Sequence, residues 1–175
     1  MRKLILSVAV TLDGFIEGPH GEYDWCFTDQ DYGLSDLLNR VDSAFLGRKT
    51  YELTKKMDSN DESGLPDLKQ YIFSTTLKNV KVGETLIGDN VHEEVEKIKN
   101  QNGKDIWLFG GASLTTTLIN LGLVDEISLA VHPILLGEGK KLFSNTNQKI
   151  KLSLIGSQSY STGLVTLSYN IEYNN

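Results

Sequence analysis

Apolar residues run almost unbroken through Leu4-Ile5-Leu6-Ser7-Val8-Ala9-Val10 and again through Ile106-Trp107-Leu108-Phe109. Runs this short and this continuous predict strands covered on both faces. The second run stops on Gly110-Gly111, and a helix is expected from Ala112 to Leu121 with Gly122 as its stop. Ser43 to Leu46 repeats the junction on a smaller scale: a brief buried strand ends at Gly47, and Arg48-Lys49-Thr50-Tyr51-Glu52-Leu53 opens a helix. Apolar positions at 34, 37, 38 and 41 mark a short helix over Leu34 to Val41, and those at 91, 95 and 98 a surface helix over Val91 to Asn100.

Strands are further expected at Gln70 to Ser74 and Thr85 to Ile87, with a polar loop at Asp58 to Gly64. A long loop from Glu17 to Asp31 carries Tyr23, Trp25 and Phe27, too aromatic to be a disordered linker. After Glu126 to Val131, which runs into His132-Pro133, the rhythm changes. Ile134 to Leu136, Ile150 to Ile155 and Leu164 to Tyr173 read as strands, the last alternating as an antiparallel edge does. Strands alternating with helices, then a tail of strands, predict an α/β fold: a mixed, mostly parallel sheet flanked by helices, with antiparallel C-terminal strands. Residues 1–175 are expected to form a single domain, with no repeat or linker.

Composition narrows the function classes. With 17 basic against 23 acidic residues, the net charge of −6 opposes nucleic-acid and anionic-membrane binding while leaving room for a local phosphate site. A single cysteine, Cys26, and three histidines offer neither an internal disulfide nor a metal-ligand pattern, which suits a reducing cytoplasm. Leu4 to Val10 is too short for a signal peptide or a membrane span and reads as the first strand.

Candidate chemistry gathers at the two strand–glycine–helix junctions. In an open α/β sheet both would lie beyond the carboxyl ends of parallel strands, where ligands bind. Gly110-Gly111 permits close backbone approach, and the following helix points free N–H groups and a positive dipole end at the turn. Arg48 and Lys49 are unfavourable beside another positive dipole end unless an anion is near, although a solvated helix start is the alternative. Ser74-Thr75 ends a third strand and either joins that anion site or starts a turn. GxGxxG, GxxxxGK[ST] and GxSxG are all absent. Asp13 is a turn former with Gly14, and Cys26 a small buried side chain.

Taken in order, Thr11-Leu12-Asp13-Gly14-Phe15-Ile16-Glu17-Gly18-Pro19 with Asp24-Trp25, Leu46-Gly47-Arg48-Lys49-Thr50-Tyr51-Glu52, Phe73-Ser74-Thr75, Phe109-Gly110-Gly111-Ala112-Ser113-Leu114, Gly122 to Glu126 and Pro133 to Phe143 resemble the dihydrofolate-reductase superfamily. The resemblance spans nearly the whole chain. It is strongest to the branch related to the reductase domain of the bifunctional riboflavin-biosynthesis deaminase–reductase.

That resemblance implies a three-layer dihydrofolate-reductase-like fold, a homodimer, and an NADPH-dependent reductase of a small heterocyclic (pterin- or aminopyrimidine-like) or carbonyl substrate. It implies Gly47, Arg48 and Thr50, with Lys49, at the 2′-phosphate and pyrophosphate, and Ser74 and Thr75 on the 2′-phosphate side. Gly110 and Gly111, commonly of unusual peptide geometry, form the turn after Phe109, and Ala112, Ser113 and Leu114 lend N–H groups to the pyrophosphate. Val8, Ala9 and Val10, with Ile16, wall the nicotinamide, and Val10 with Trp25 bounds the substrate. Asp29 and Asp31 are the nearest counterparts of the acid that binds pterin, with solvated or helix-capping roles as the alternative. The riboflavin-pathway enzymes carry a glutamate where this chain has Phe109, and no Ser-Gly-rich phosphate loop is recognisable around Glu22 to Thr28. The 5-amino-6-(5-phosphoribosylamino)uracil reduction, dihydrofolate reduction and nucleotide binding without catalysis stand as alternatives.

Overall fold

The computed structural model of the chain describes residues 1–59 and 67–173. Its elements follow in order as β1 (Leu4–Thr11), β2 (Phe15–Glu17), α1 (Leu34–Arg40), β3 (Val41–Gly47), α2 (Arg48–Ser59), β4 (Lys69–Phe73) and β5 (Thr85–Ile87). There follow α3 (Val91–Lys99), β6 (Asp105–Gly110), α4 (Ala112–Asn120), β7 (Glu126–His132), β8 (Lys140–Lys141), β9 (Lys151–Ser159) and β10 (Val165–Glu172).

Eight strands form one sheet in the order β5-β4-β3-β6-β1-β7-β10-β9. The pairs from β5 to β7 are parallel, and β7–β10 and β10–β9 are antiparallel. β1 lies between β6 and β7 with Leu4, Ile5 and Leu6 wholly buried, which is why its sequence is continuous rather than alternating. Leu6, Phe45, Leu108 and Ile127 turn to one face and pack with α3 and α4 through Val95, Ile98, Leu114 and Leu118. On the other face Ile5 and Trp107 pack with Leu37 of α1, and Ala44, Leu46 and Ile72 with Tyr51 of α2.

The mixed sheet with helices on both faces is as expected, and several local readings are corrected. Ile134 to Leu136 is not a strand. There the Leu136 and Gly137 N–H groups donate to the Asp13 carboxylate, and the Ile134 carbonyl accepts from Leu12 N–H, so the backbone is committed to a turn rather than a ladder. Val41, expected as the last helical position, instead opens β3, so α1 passes straight into a strand. Of the loop expected at Asp58 to Gly64, the first two residues close α2 and the rest lies outside the described residues. β9 continues four residues past Ile155. The short β2–β8 ribbon, with Phe15 opposite Lys141 and Glu17 opposite Lys140, is an addition. Among the described residues no helix is long and apolar enough to cross a membrane.

Candidate active site

Two glycine junctions meet beyond the carboxyl ends of β3 and β6. At Gly47 a Cβ would lie 3.5 Å from the Gly110 carbonyl oxygen and 3.6 Å from Leu114 Cβ. At Gly111, the residue before α4, φ is +85° and ψ 133°, and a Cβ would approach Thr50 Oγ1 to 3.1 Å. Gly110 also has positive φ, +111°, and its carbonyl accepts from Thr50 Oγ1 at 3.4 Å. The unusual geometry of this turn thus resides in its dihedrals, and the described residues contain no cis peptide.

Helix electrostatics single out the same place. α1 carries Asp36 in its first turn and α3 carries Glu93 and Glu94, the usual complement to a positive dipole end. Neither α2 nor α4 has an acid there, α4 has no side-chain cap, and α2 starts with Arg48-Lys49. Among the described residues, Arg48 has only a loose 3.9 Å pair with Glu52, both nearly half exposed.

Between these two helix starts and the ends of β4 and β5 lies a cleft of about 540 Å³. Of the residues singled out in the sequence, Gly47, Arg48, Lys49, Thr50, Ser74, Thr75, Gly111, Ala112, Ser113 and Leu114 line it. Ser74 Oγ also accepts from the Thr76 and Leu77 N–H groups, so it is a turn residue at the cleft edge. Lys140, which sequence reasoning left without a role, lines the cleft from β8. The Thr115 hydroxyl, behind the turn and 3.8 Å from a Cβ built on Gly110, is buried without a partner among the described residues.

Ala9, Val10, Ile16 and Phe109 do not line this cleft. Phe109 turns to the α1/α2 face and packs edge-on against Trp107, ring centroids 4.7 Å apart. Trp25 is buried edge-on against His132, its Nε1 without an acceptor among the described residues. His132 donates from Nδ1 to the Ala130 carbonyl and accepts the Phe27 N–H at Nε2. The long loop is therefore pinned to the end of β7. Asp31 accepts from Ser35 N–H, Ser35 Oγ and Gly33 N–H at the start of α1, which holds its carboxyl below the usual range. Asp29 accepts from the Tyr32 hydroxyl. Both are exposed at the surface.

A second, smaller recess of about 210 Å³ lies on the α1 face of the sheet. Its floor is a row of small residues set by register, Ser7, Ser128 and Ser168, with Ala130 and Thr166 in the next row. Tyr32 and Tyr160 stand at one end, and Asp36 with Arg40 comes from α1. Arg40 donates to both oxygens of buried Glu126 at 2.9 Å. Asp36 has no hydrogen bond or ion pair among the described residues. No local pattern announced this recess, because its lining is drawn from β1, α1, β7, β9 and β10 and from the residues just before α1 and just after β9.

The molecule is 48% identical over 178 residues to the uncharacterized protein YyaP of Bacillus subtilis strain 168, covering 97% of this chain and 95% of that one. In structure it is similar to a Shewanella sp. PV-4 protein named for riboflavin biosynthesis (TM-score 0.85, 23% identity, 98% and 99% of the two chains covered). It also shares its fold with dihydrofolate reductase of Enterococcus faecalis, complexed with NADP(H) and RAB-propyl (TM-score 0.71, 13% identity, 98% and 97% covered). The fold is accordingly dihydrofolate-reductase-like. The RibD C-terminal domain model matches residues 2–166, so the chain belongs to the RibD C-terminal domain family.

Proposed function

We propose that the chain is an NADPH-dependent reductase that passes hydride to a small planar heterocycle or carbonyl compound. The observation that carries the reading is the meeting, in one cleft, of two helix starts free of first-turn acids with Arg48 and Lys49 between them. A diphosphate suits that field, and the bare backbone of Gly47 and Gly111 leaves room for it to approach. Ser113 and Leu114 N–H groups would hold the diphosphate, and Arg48 with Ser74 and Thr75 the 2′-phosphate.

When bound, NADPH supplies the hydride. The chain's own work is to orient and to exclude water. Ala9, Val10 and Ile16 would border the nicotinamide. Ser7, which faces the α1-side recess, is two residues back along β1, about 7 Å at the usual strand rise. The recess therefore suits the substrate, with Trp25 and the His132-pinned loop closing over it. Asp36 lines the recess and, unlike Asp29 and Asp31, whose carboxylates already accept hydrogen bonds from Tyr32, Gly33 and Ser35, would be free to accept hydrogen bonds from the substrate or to relay a proton through water. Phe109 offers no carboxylate before the turn and disfavours the phosphoribosylaminouracil substrate. We further propose a cytoplasmic homodimer joined through the open edge of β9, where Leu152, Leu154 and Ile155 are exposed.

Titration with NADPH and NADH, followed by nicotinamide fluorescence, tests the reading. NADPH should bind in the micromolar range, and Arg48→Ala should weaken it about tenfold, a charge-assisted hydrogen bond discounted for exposure, with little effect on NADH. Equal losses for both would remove the 2′-phosphate role, and no binding would remove the enzyme. NADPH binding without turnover on a panel of pterins, aminopyrimidines and quinones would leave a nucleotide-binding protein.

A further inference from the structure

Among the described residues, Lys140 is the one cleft-lining cation that belongs to neither glycine junction. It reaches the cleft from β8, beside the start of α4, and also borders an adjoining recess with Ser113, Thr117 and Lys141. Its place is set rigidly. Asp13 accepts the Gly137 N–H at 2.8 Å, Leu142 N–H donates to the Gly14 carbonyl, and the Leu142 side chain is buried. Gly139, at φ +137°, runs so close to the Glu17 carbonyl oxygen that a Cβ would collide with it. Only the end of the lysine side chain is free to move.

In this form the Lys140 ammonium is held by Glu17 Oε1 at 2.9 Å, each side chain about one-third exposed. An exposed ion pair of this kind contributes little net stability, because water screens it and both side chains lose rotamer freedom. A diphosphate offers more charge, and at the α4 helix start it would sit where the dipole already favours it. Glu17 closes β2, from which the Trp25-bearing loop departs.

We propose that Lys140 is an exchangeable anion ligand, held by Glu17 until a dinucleotide diphosphate takes it, so that Glu17 competes with the cofactor and links cleft occupancy to the loop over the substrate recess. This rests on the NADPH reading above. A purely structural Glu17–Lys140 tie makes the opposite prediction for one partner, since removing either end would loosen the ribbon and weaken or spare binding alike.

Nicotinamide-fluorescence titration with NADPH separates these cases, using wild type, Glu17→Gln, Lys140→Gln, Lys140→Arg and the Glu17→Gln/Lys140→Gln pair. Thermal unfolding of each confirms that it is folded. Lys140→Gln should weaken NADPH about tenfold and Lys140→Arg should restore it to within about threefold. Glu17→Gln should tighten NADPH about threefold or more, and should have no effect when Lys140 is already glutamine, the signature of coupling through that one side chain. Weaker or unchanged binding by Glu17→Gln, or wild-type affinity in Lys140→Gln, overturns the exchange while leaving the NADPH reading intact. A wild-type protein that does not bind NADPH overturns both.

Discussion

Replacing Gly111 by alanine should both destabilise the protein and damage its cleft, and the two effects have separable causes. At φ +85° and ψ 133° an L-residue is strained, by about 1–3 kcal/mol for such sparsely populated backbone. The new Cβ would also stand 3.1 Å from Thr50 Oγ1, close enough that the threonine must give way by a few tenths of an ångström. Alanine recovers about 0.4–1 kcal/mol by restricting the unfolded chain. The strain wins, leaving a net loss of about 2 kcal/mol, which in a chain of this size lowers the melting temperature by about 4–8 °C. Circular-dichroism melts measure it. Gly83→Ala is the control, since φ there is +95° with nothing within 4 Å of a Cβ: it should show a backbone cost without a contact cost. Adding Thr50→Ala to Gly111→Ala should recover only the contact part. NADPH affinity should fall further than stability requires, because a shifted turn re-aims the first N–H groups of α4. A Gly111→Ala protein that melts at or above wild type would refute the account of the turn, and unchanged NADPH affinity would refute its role in the cleft.

Other outcomes follow from particular contacts. Arg40→Ala should cost about 2 kcal/mol, less than the 3–5 typical of breaking a fully buried pair because Arg40 is half exposed and Lys3 remains 3.7 Å from Glu126; Glu126→Gln should cost less, as it strands no buried charge, and urea unfolding compares them. Burial raises the Glu126 carboxyl, but the Arg40 hydrogen bonds and the charges of Arg40 and Lys3 outweigh this and hold it below the usual glutamate range. Its contribution is therefore present above about pH 4.3 and is lost on acidification below that, so acid titration of stability should be shallower in Glu126→Gln. His132→Phe removes the acceptor of the Phe27 N–H and should loosen the loop, read as a red shift of Trp25 emission in a Trp107→Phe background; an unshifted spectrum would detach the loop from His132. Leu154→Lys should convert a dimer to monomers in sedimentation, and an unchanged dimer would exclude the β9 edge.

What could be read from the chain, and what could not, divides on whether the deciding interaction is local. β1 and β6 were legible because both faces of each are covered, so burial is written into consecutive residues. The glycine junctions were legible for a similar reason: Gly47 stands next to Arg48, and Gly110-Gly111 next to the start of α4. Ile134 to Leu136 looks like a strand because its side chains are apolar, yet the N–H groups of Leu136 and the following Gly137 go to Asp13, more than a hundred residues earlier, and no periodicity reports that. β2 and β8 are three and two residues long, below any pattern, and exist because Gly139 lets one backbone lie against the other. The recess on the α1 face is the extreme case. Ser7, Ser128 and Ser168 become neighbours only when β1, β7 and β10 are aligned in register, and a slip of one residue would replace that row with Leu129 and Leu167. Cleft chemistry that rests on adjacent residues can be inferred before the fold is known, whereas a pocket made by register has to wait for the sheet.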